Sequence, residues 1–387
     1  MTTLDRTGGA GIIDADGHIA EPVDLWETYL EPQYRARAVG IRPGPDGRDH
    51  LMIDGRLSRF FNADFIVRGT SMGKNFEERA AIAQRPYRES FPFGAGDPKE
   101  RLELLDRDGL AKALIYPTIA LLWEAEVEDT ELALAYCRAY NRWVVDFCSD
   151  SGGRLVPIAQ ISLGEDGWAA AREVQRAVES GAKGAFVAPF TLADKSHAHP
   201  DYDPFWAAAQ DLNVPIGIHP VAEPPKRRVF QRFRELHKWG EWWDDLLGGQ
   251  GPQQAFLALF QYGLFDRFPG VKVVLLESGA GWIGHMLERR DAAHATAMGK
   301  TVRLKEKPSF YFHRQCWISA DPEERSVSYI IDHIGRDKFF WASDFPHDDH
   351  TSAYMHELAQ CVAPLAEESR RGILGENVAR VYRLGSN

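Results

Sequence analysis

The stretch Ile12-Ile13-Asp14-Ala15-Asp16-Gly17-His18 passes from apolar residues straight into acidic and imidazole groups. Asp16 and His18 are two apart, so on a strand both side chains fall on one face. A carboxylate beside an imidazole at the C-terminal end of a strand can hold a divalent metal. Three later segments end the same way: Ile216-Gly217-Ile218-His219, Val273-Val274-Leu275-Leu276-Glu277 and Phe339-Phe340-Trp341-Ala342-Ser343-Asp344. Four such endings suggest one metal site assembled from several strands. Glu277 directly follows an apolar run, where an unpaired carboxylate would be costly to bury and a metal would offset the cost. It is expected to ligate, and could bridge two ions; pairing with an arginine is the plainer reading. His347 follows Asp344 closely enough to bind a second metal or contact substrate, or to lie outside the ligand shell. Asp14, at the same spacing before Asp16, could support the ligands from behind. The donors are carboxylates and imidazoles without thiolates, which suits one or two ions of Zn, Fe or Mn.

Such a site needs strands that end together. Short apolar runs alternate with helix-patterned segments, and strands are expected near 11–17, 112–118, 155–162, 184–189, 215–219, 271–277, 315–320 and 338–343. These runs lack clean alternation, as parallel strands buried on both faces do. Eight of them separated by helices predict a (β/α)8 barrel in a single domain of 387 residues. Helices are expected at 130–148, at 166–180 with Gly181 as a stop, and as a terminal pair over 367–384. Two insertions leave the C-terminal ends of strands one and five. Residues 39–61 carry Pro-Gly-Pro-Asp-Gly at 43–47 and read as a hairpin. Residues 221–254 carry Lys226-Arg227-Arg228 and the cluster Trp239, Trp242 and Trp243. Both are expected to form a lid or pocket wall, or else oligomer contacts.

An apolar content of 44% supports a large core, and a net charge of -11 argues against nucleic acid or an anionic membrane as partner. No apolar stretch reaches the ~20 residues of a membrane helix, and Met1 to Gly11 lacks the apolar centre of a secretory signal. The four cysteines form no C-x-x-C pair and read as reduced and structural in a cytoplasmic protein. The expected partners are a small-molecule substrate and a second copy of the chain in a dimer.

Five segments in order carry a family resemblance: IIDADGHIAEPVDLWETYL at the start, GIHP at 217–220, LLESGAGWI at 275–283, WASDFPHDD at 341–349 and ILGENVARVYRL at 373–384. Together they resemble the amidohydrolase superfamily, in particular its amidohydrolase-2 branch of decarboxylases and hydrolases. The resemblance implies that Asp16, His18, His219 and Asp344 are metal ligands. It also implies that Asp344 accepts the proton of a metal-activated water in hydrolases. The chain departs from the branch at one place. Decarboxylases of this kind carry a histidine after strand six, and Glu277-Ser278-Gly279 stands here. Strand four ends without the lysine that bridges two metals in other members.

That departure favours a metal-dependent hydrolase of an amide, ester or thioester, with Asp344 and His347 as catalytic residues. The aromatic insertions suggest a bulky apolar acyl group, and the basic run at 226–228 could meet an anionic portion such as a CoA phosphate. The alternative is a metal-dependent non-oxidative decarboxylase of an aromatic or dienoic carboxylate, with His347 supplying the proton. Tyr116-Pro117-Thr118 and Arg314 lie near strand ends and could orient substrate. A metal-free binding barrel is disfavoured, because Asp16, Glu277 and Asp344 would repel one another.

Overall fold

The computed structural model describes residues 10–227 and 248–385. Strand β1 (Ile12–Ile19) is followed by three short strands, β2 (Gly40–Pro43), β3 (Asp49–Ile53) and β4 (Arg56–Leu57). Then come β5 (Leu110–Pro117), β6 (Leu155–Gln160), β7 (Gly184–Val187), β8 (Pro215–Ile218), β9 (Lys272–Leu275), β10 (Cys316–Ala320) and β11 (Phe339–Trp341). β1 and β5 to β11 form one parallel sheet in that order, with helices between, curled into a (β/α)8 barrel. The expected strands agree with the observed ones to within two residues at either end.

The apolar runs hide an alternation of packing layer rather than of polarity. Ala113 and Ile115 of β5 pack outward against the helices, whereas Leu114 and Tyr116 pack inside the barrel. Val274 of β9, Trp317 of β10 and Phe340 of β11 are likewise inward, and Tyr382 of the C-terminal helix Asn377–Tyr382 joins this inner cluster. Both layers are apolar, so a period of two in the packing leaves no polar alternation in the sequence. Gly217 of β8 is glycine because the interior is full. A Cβ there would stand 2.9 Å from Leu276 Cδ1 and 3.2 Å from Phe186 Cβ.

Helices Thr130–Cys148 and Gly167–Ser180 begin at the aspartate caps Asp129 and Asp166, whose carboxylates accept backbone N–H groups of the first turn. The terminal helices are Glu367–Arg371 and Asn377–Tyr382, joined by a kink at Gly372–Glu376. No ladder joins β11 to β1. Closure instead comes from the strand ends: Asp344 N–H donates to Asp16 O at 2.9 Å, and His18 N–H donates to Phe345 O at 2.7 Å.

In the first insertion β2, β3 and β4 make an antiparallel sheet, so residues 39–61 hold three strands rather than two. It is tied to the barrel by the buried carboxylate of Glu126, which accepts from Ser58, Arg56 and Arg59. In the second insertion Lys226 pairs with Glu128 at 2.7 Å and Arg227 with Asp194 at 2.5 Å, so these two cations already have carboxylate partners. Arg228 and the cluster of Trp239, Trp242 and Trp243 lie outside the described residues. The four cysteines are buried and free. Among the described residues no helix is long and apolar enough to cross a membrane.

Candidate metal centre

The barrel brings Asp16, His18, His219 and Glu277 within reach of one point, and Asp344 adjoins them through His18. A register shift between Asp14 and Gly17 against β5 re-aims the end of β1, so Asp16 and His18 both turn into the barrel mouth. His18 Nε2 lies 3.3 Å from Asp16 Oδ1 and 3.0 Å from Asp344 Oδ1. His219 Nε2 lies 3.4 Å from Asp16 Oδ2, 3.4 Å from Glu277 Oε2 and 3.4 Å from His18 Nε2. Asp16, His18, His219 and Asp344 are fully buried, while Glu277 reaches into an open cavity.

The donor set fits a divalent ion. His18 Nδ1 donates to Pro117 O at 2.5 Å and His219 Nδ1 to Pro220 O at 2.6 Å, which leaves both Nε2 lone pairs facing the cluster. Both oxygens of Asp16 and Oδ1 of Asp344 lack a hydrogen bond among the described residues despite full burial. Atoms sharing one ion at ~2.1 Å stand about 3.0–3.5 Å apart, which is the spacing found. Burial alone would lower the His18 pKa, but Asp344 and Asp16 outweigh it and raise it to about 10, so the cluster demands a positive charge. Glu277 and Asp344 both sit at positive φ, 43° and 51°, where non-glycine residues are strained.

Asp14 does not face the cluster. Its carboxylate accepts Ser343 Oγ–H at 2.6 Å and Ser343 N–H at 2.9 Å, and so supports the turn that presents Asp344. Tyr116 stacks beneath His219, ring centroids 5.4 Å apart, as part of the barrel floor. His347 lies beside the cluster, with Nδ1 3.1 Å from Asp344 Oδ2 and Nε2 3.0 Å from Thr118 Oγ1. Burial lowers its pKa despite the attraction of Asp344, and repulsion from His18 adds to the lowering. Arg314 is not part of the site. It lies on the helix Pro308–Gln315, before β10, and donates to Phe265 O. His197 is a buried core residue that donates from Nε2 to Ala188 O, and His333 pairs with Glu288.

A cavity of about 500 Å³ opens over the cluster. Phe61, Phe65, Leu121, Leu122 and Val221 line its apolar side, and Glu277, Asp321, Glu323, Asp349, His347 and His350 its polar side. Asp321 was missed by the sequence reasoning, although Trp317-Ile318-Ser319-Ala320-Asp321 has the same apolar-to-acid ending as the other strands. Burial, together with nearby carboxylates, pushes Asp321 up to about 7. Burial would lower His350, yet Glu323 and Asp349 hold it as an imidazolium, up to about 11.

A parallel barrel whose mouth gathers three carboxylates and two imidazoles is a (β/α)8 barrel with a candidate metal site. The chain belongs to the amidohydrolase family: the amidohydrolase-2 family model, described as Amidohydrolase, matches residues 13–384. It is similar to the γ-resorcylate decarboxylase of Rhizobium sp. strain MTP-10005, with 28% identity over 303 residues, 73% of this chain and 86% of the relative. Among solved structures, an amidohydrolase from Mycobacterium avium subsp. paratuberculosis K-10 matches with a TM-score of 0.77 at 21% identity, covering 96% of this chain and 98% of that one. A dihydroxybenzoic acid decarboxylase from Polaromonas sp. JS666, solved with bound manganese, matches with a TM-score of 0.68 at 19% identity, covering 97% of each chain.

These relatives correct the expectation of amide, ester or thioester hydrolysis, because γ-resorcylate decarboxylases from several bacteria align with the chain. The hydrolase reading rested on Glu277 standing where decarboxylases carry histidine. In the structure Glu277 is one carboxylate of a shared cluster, and that position alone does not select water as a nucleophile. The CoA-like partner falls with it, since Lys226 and Arg227 are already paired.

Proposed function

We propose that this protein is a divalent-metal-dependent, non-oxidative decarboxylase of a hydroxylated aromatic carboxylate. The alignment with γ-resorcylate decarboxylases over 86% of their length carries this reading. The donor cluster supports it: Asp16, His18, His219 and Asp344 hold the ion, and Glu277 completes the set on the cavity side. Manganese in the Polaromonas relative makes Mn the first ion to try. When bound, the ion supplies a Lewis acid and an attraction for an anionic substrate at the barrel mouth.

The chain supplies the rest. Phe61, Phe65, Leu121 and Leu122 offer an apolar face to the aromatic ring. The reaction replaces the carboxylate by a proton: the ring carbon takes H⁺, the C–C bond breaks, its electron pair returns to the ring, and CO2 leaves. His347 is the proton source. It is neutral in the free site, and a bound anionic substrate favours its imidazolium. Its Nδ1–H then passes the proton to Asp344, and from Asp344 to the ring carbon. The test is a panel of hydroxylated benzoates, γ-resorcylate included, assayed for CO2 beside matching esters and thioesters assayed for acid release. CO2 from at least one benzoate, abolished by chelation and restored by Mn, is expected. Ester or thioester turnover with no CO2 from any carboxylate would overturn the proposal.

A further inference from the structure

His347 is held from two sides, and only the Asp344 side belongs to the ligand cluster. The other side begins at Glu21, which is buried at 1% exposure. Its carboxylate accepts the backbone N–H groups of Thr118 at 3.1 Å, Ile119 at 2.8 Å and Ala120 at 2.8 Å. Three convergent N–H donors compensate the burial of that carboxylate and fix the turn that follows β5. Thr118 is the first residue of this turn, and its side chain has one place to go. The connection between β1 and β5 packs Gly69 against its methyl group so closely that a Cβ on Gly69 would stand 2.2 Å from Thr118 Cγ2. The hydroxyl is thereby aimed at His347 Nε2, 3.0 Å away.

We propose that Thr118 is a positioning residue whose hydroxyl fixes the His347 ring against Asp344. The argument is one of hydrogen-bond inventory. Neutral His347 that donates from Nδ1 to Asp344 has a lone pair at Nε2, which needs a donor. The Thr118 hydroxyl supplies that donor, whereas a carboxylate or an alkyl group cannot. Glu21 sets the height of the hydroxyl and Gly69 its rotamer, so the connection between β1 and β5 takes part in aligning the proton source.

The kinetic side of this proposal rests on the decarboxylase reading, so the experiment also includes a measurement without substrate. Thr118→Val keeps the shape and removes the hydroxyl; Thr118→Ser keeps the hydroxyl. Each is compared with wild type in zinc-loaded, 15N-histidine-labelled protein and in CO2 release from the substrate found above. Thr118→Val is expected to move the His347 Nε2 resonance toward that of a ring nitrogen without a hydrogen bond. It is expected to lower kcat by roughly tenfold or more, with KM within about twofold and metal content unchanged. Thr118→Ser is expected to recover both the resonance and most of kcat. An unmoved resonance in Thr118→Val, metal loss in that variant, or a Thr118→Ser protein as slow as Thr118→Val would overturn the proposal. Should wild type turn over no carboxylate, the decarboxylase reading fails and the resonance alone decides the role of Thr118.

Discussion

Replacing Ser343 by alanine removes one of the contacts that close the barrel between β11 and β1. β1 and β11 share no ladder, and Asp14 and Ser343 join their ends across 329 residues of sequence. The change removes one methyl-sized oxygen and leaves no cavity to speak of, so the loss is one of hydrogen bonds. Ser343 Oγ donates to the buried Asp14 carboxylate at 2.6 Å and accepts Phe345 N–H at 3.0 Å. A hydrogen bond to a buried charge contributes about 1.5–3 kcal/mol, and an orphaned buried N–H costs ~1–3 kcal/mol. A total of about 3 kcal/mol follows. With an unfolding entropy of ~2.1 cal/mol/K per residue over the 387 residues, Tm falls by about 4 °C. Asp344 is the next residue and sits at strained φ, so a loosened turn also displaces this proposed ligand, and metal affinity is expected to fall about tenfold. Tm is read by scanning calorimetry on chelated protein, which separates the fold from the ion, and affinity by competition with a metallochromic dye. A Tm within 1 °C of wild type together with unchanged metal affinity would refute the view that this pair helps to close the barrel and seats Asp344.

Three further outcomes are expected. Burial pushes the His197 imidazole down to about 4 from 6.5, so the unfolded chain binds the extra proton between these values. This contribution is fully present above pH 6.5 and lost as pH falls through 4, about 3 kcal/mol in all. Urea unfolding at pH 7 and pH 4.5 should show a smaller pH-dependent loss in His197→Gln than in wild type, and equal losses would refute the assignment. Gly217→Ala should cost about 1–3 kcal/mol by overpacking the barrel interior against Leu276 and Phe186, and an unchanged urea midpoint would show that the interior yields. Asp16→Asn should weaken metal binding by more than the 10–100-fold of an outer partner, as read by dye competition, because both Asp16 oxygens face the cluster.

The strands were legible because parallel strands buried on both faces are apolar throughout, and the candidate ligands mark where they stop. Asp16, His18, His219, Glu277 and Asp344 could be picked out for that reason, one per strand end or paired on β1. Asp321 carries the same mark after β10 and was passed over, since an acid after a short run reads equally well as a turn residue. The contacts that align His347 left no local trace. Thr118 and His347 are 229 residues apart, and Glu21 meets Ala120 across 99. Nothing in either segment says that they meet. The reaction type was misread for a different reason. Glu277 was weighed as if one ligand position chose the chemistry, whereas the same barrel and metal serve C–N, C–O and C–C cleavage according to substrate and proton source.

The most direct test is a titration of chelated protein with manganese while CO2 release from a hydroxylated benzoate is followed, in wild type and in Asp16→Asn. The account predicts that release rises in proportion to added ion, saturates near one equivalent per chain, and is absent from the variant at that loading. Release by the chelated protein, or equal release by Asp16→Asn, would contradict it.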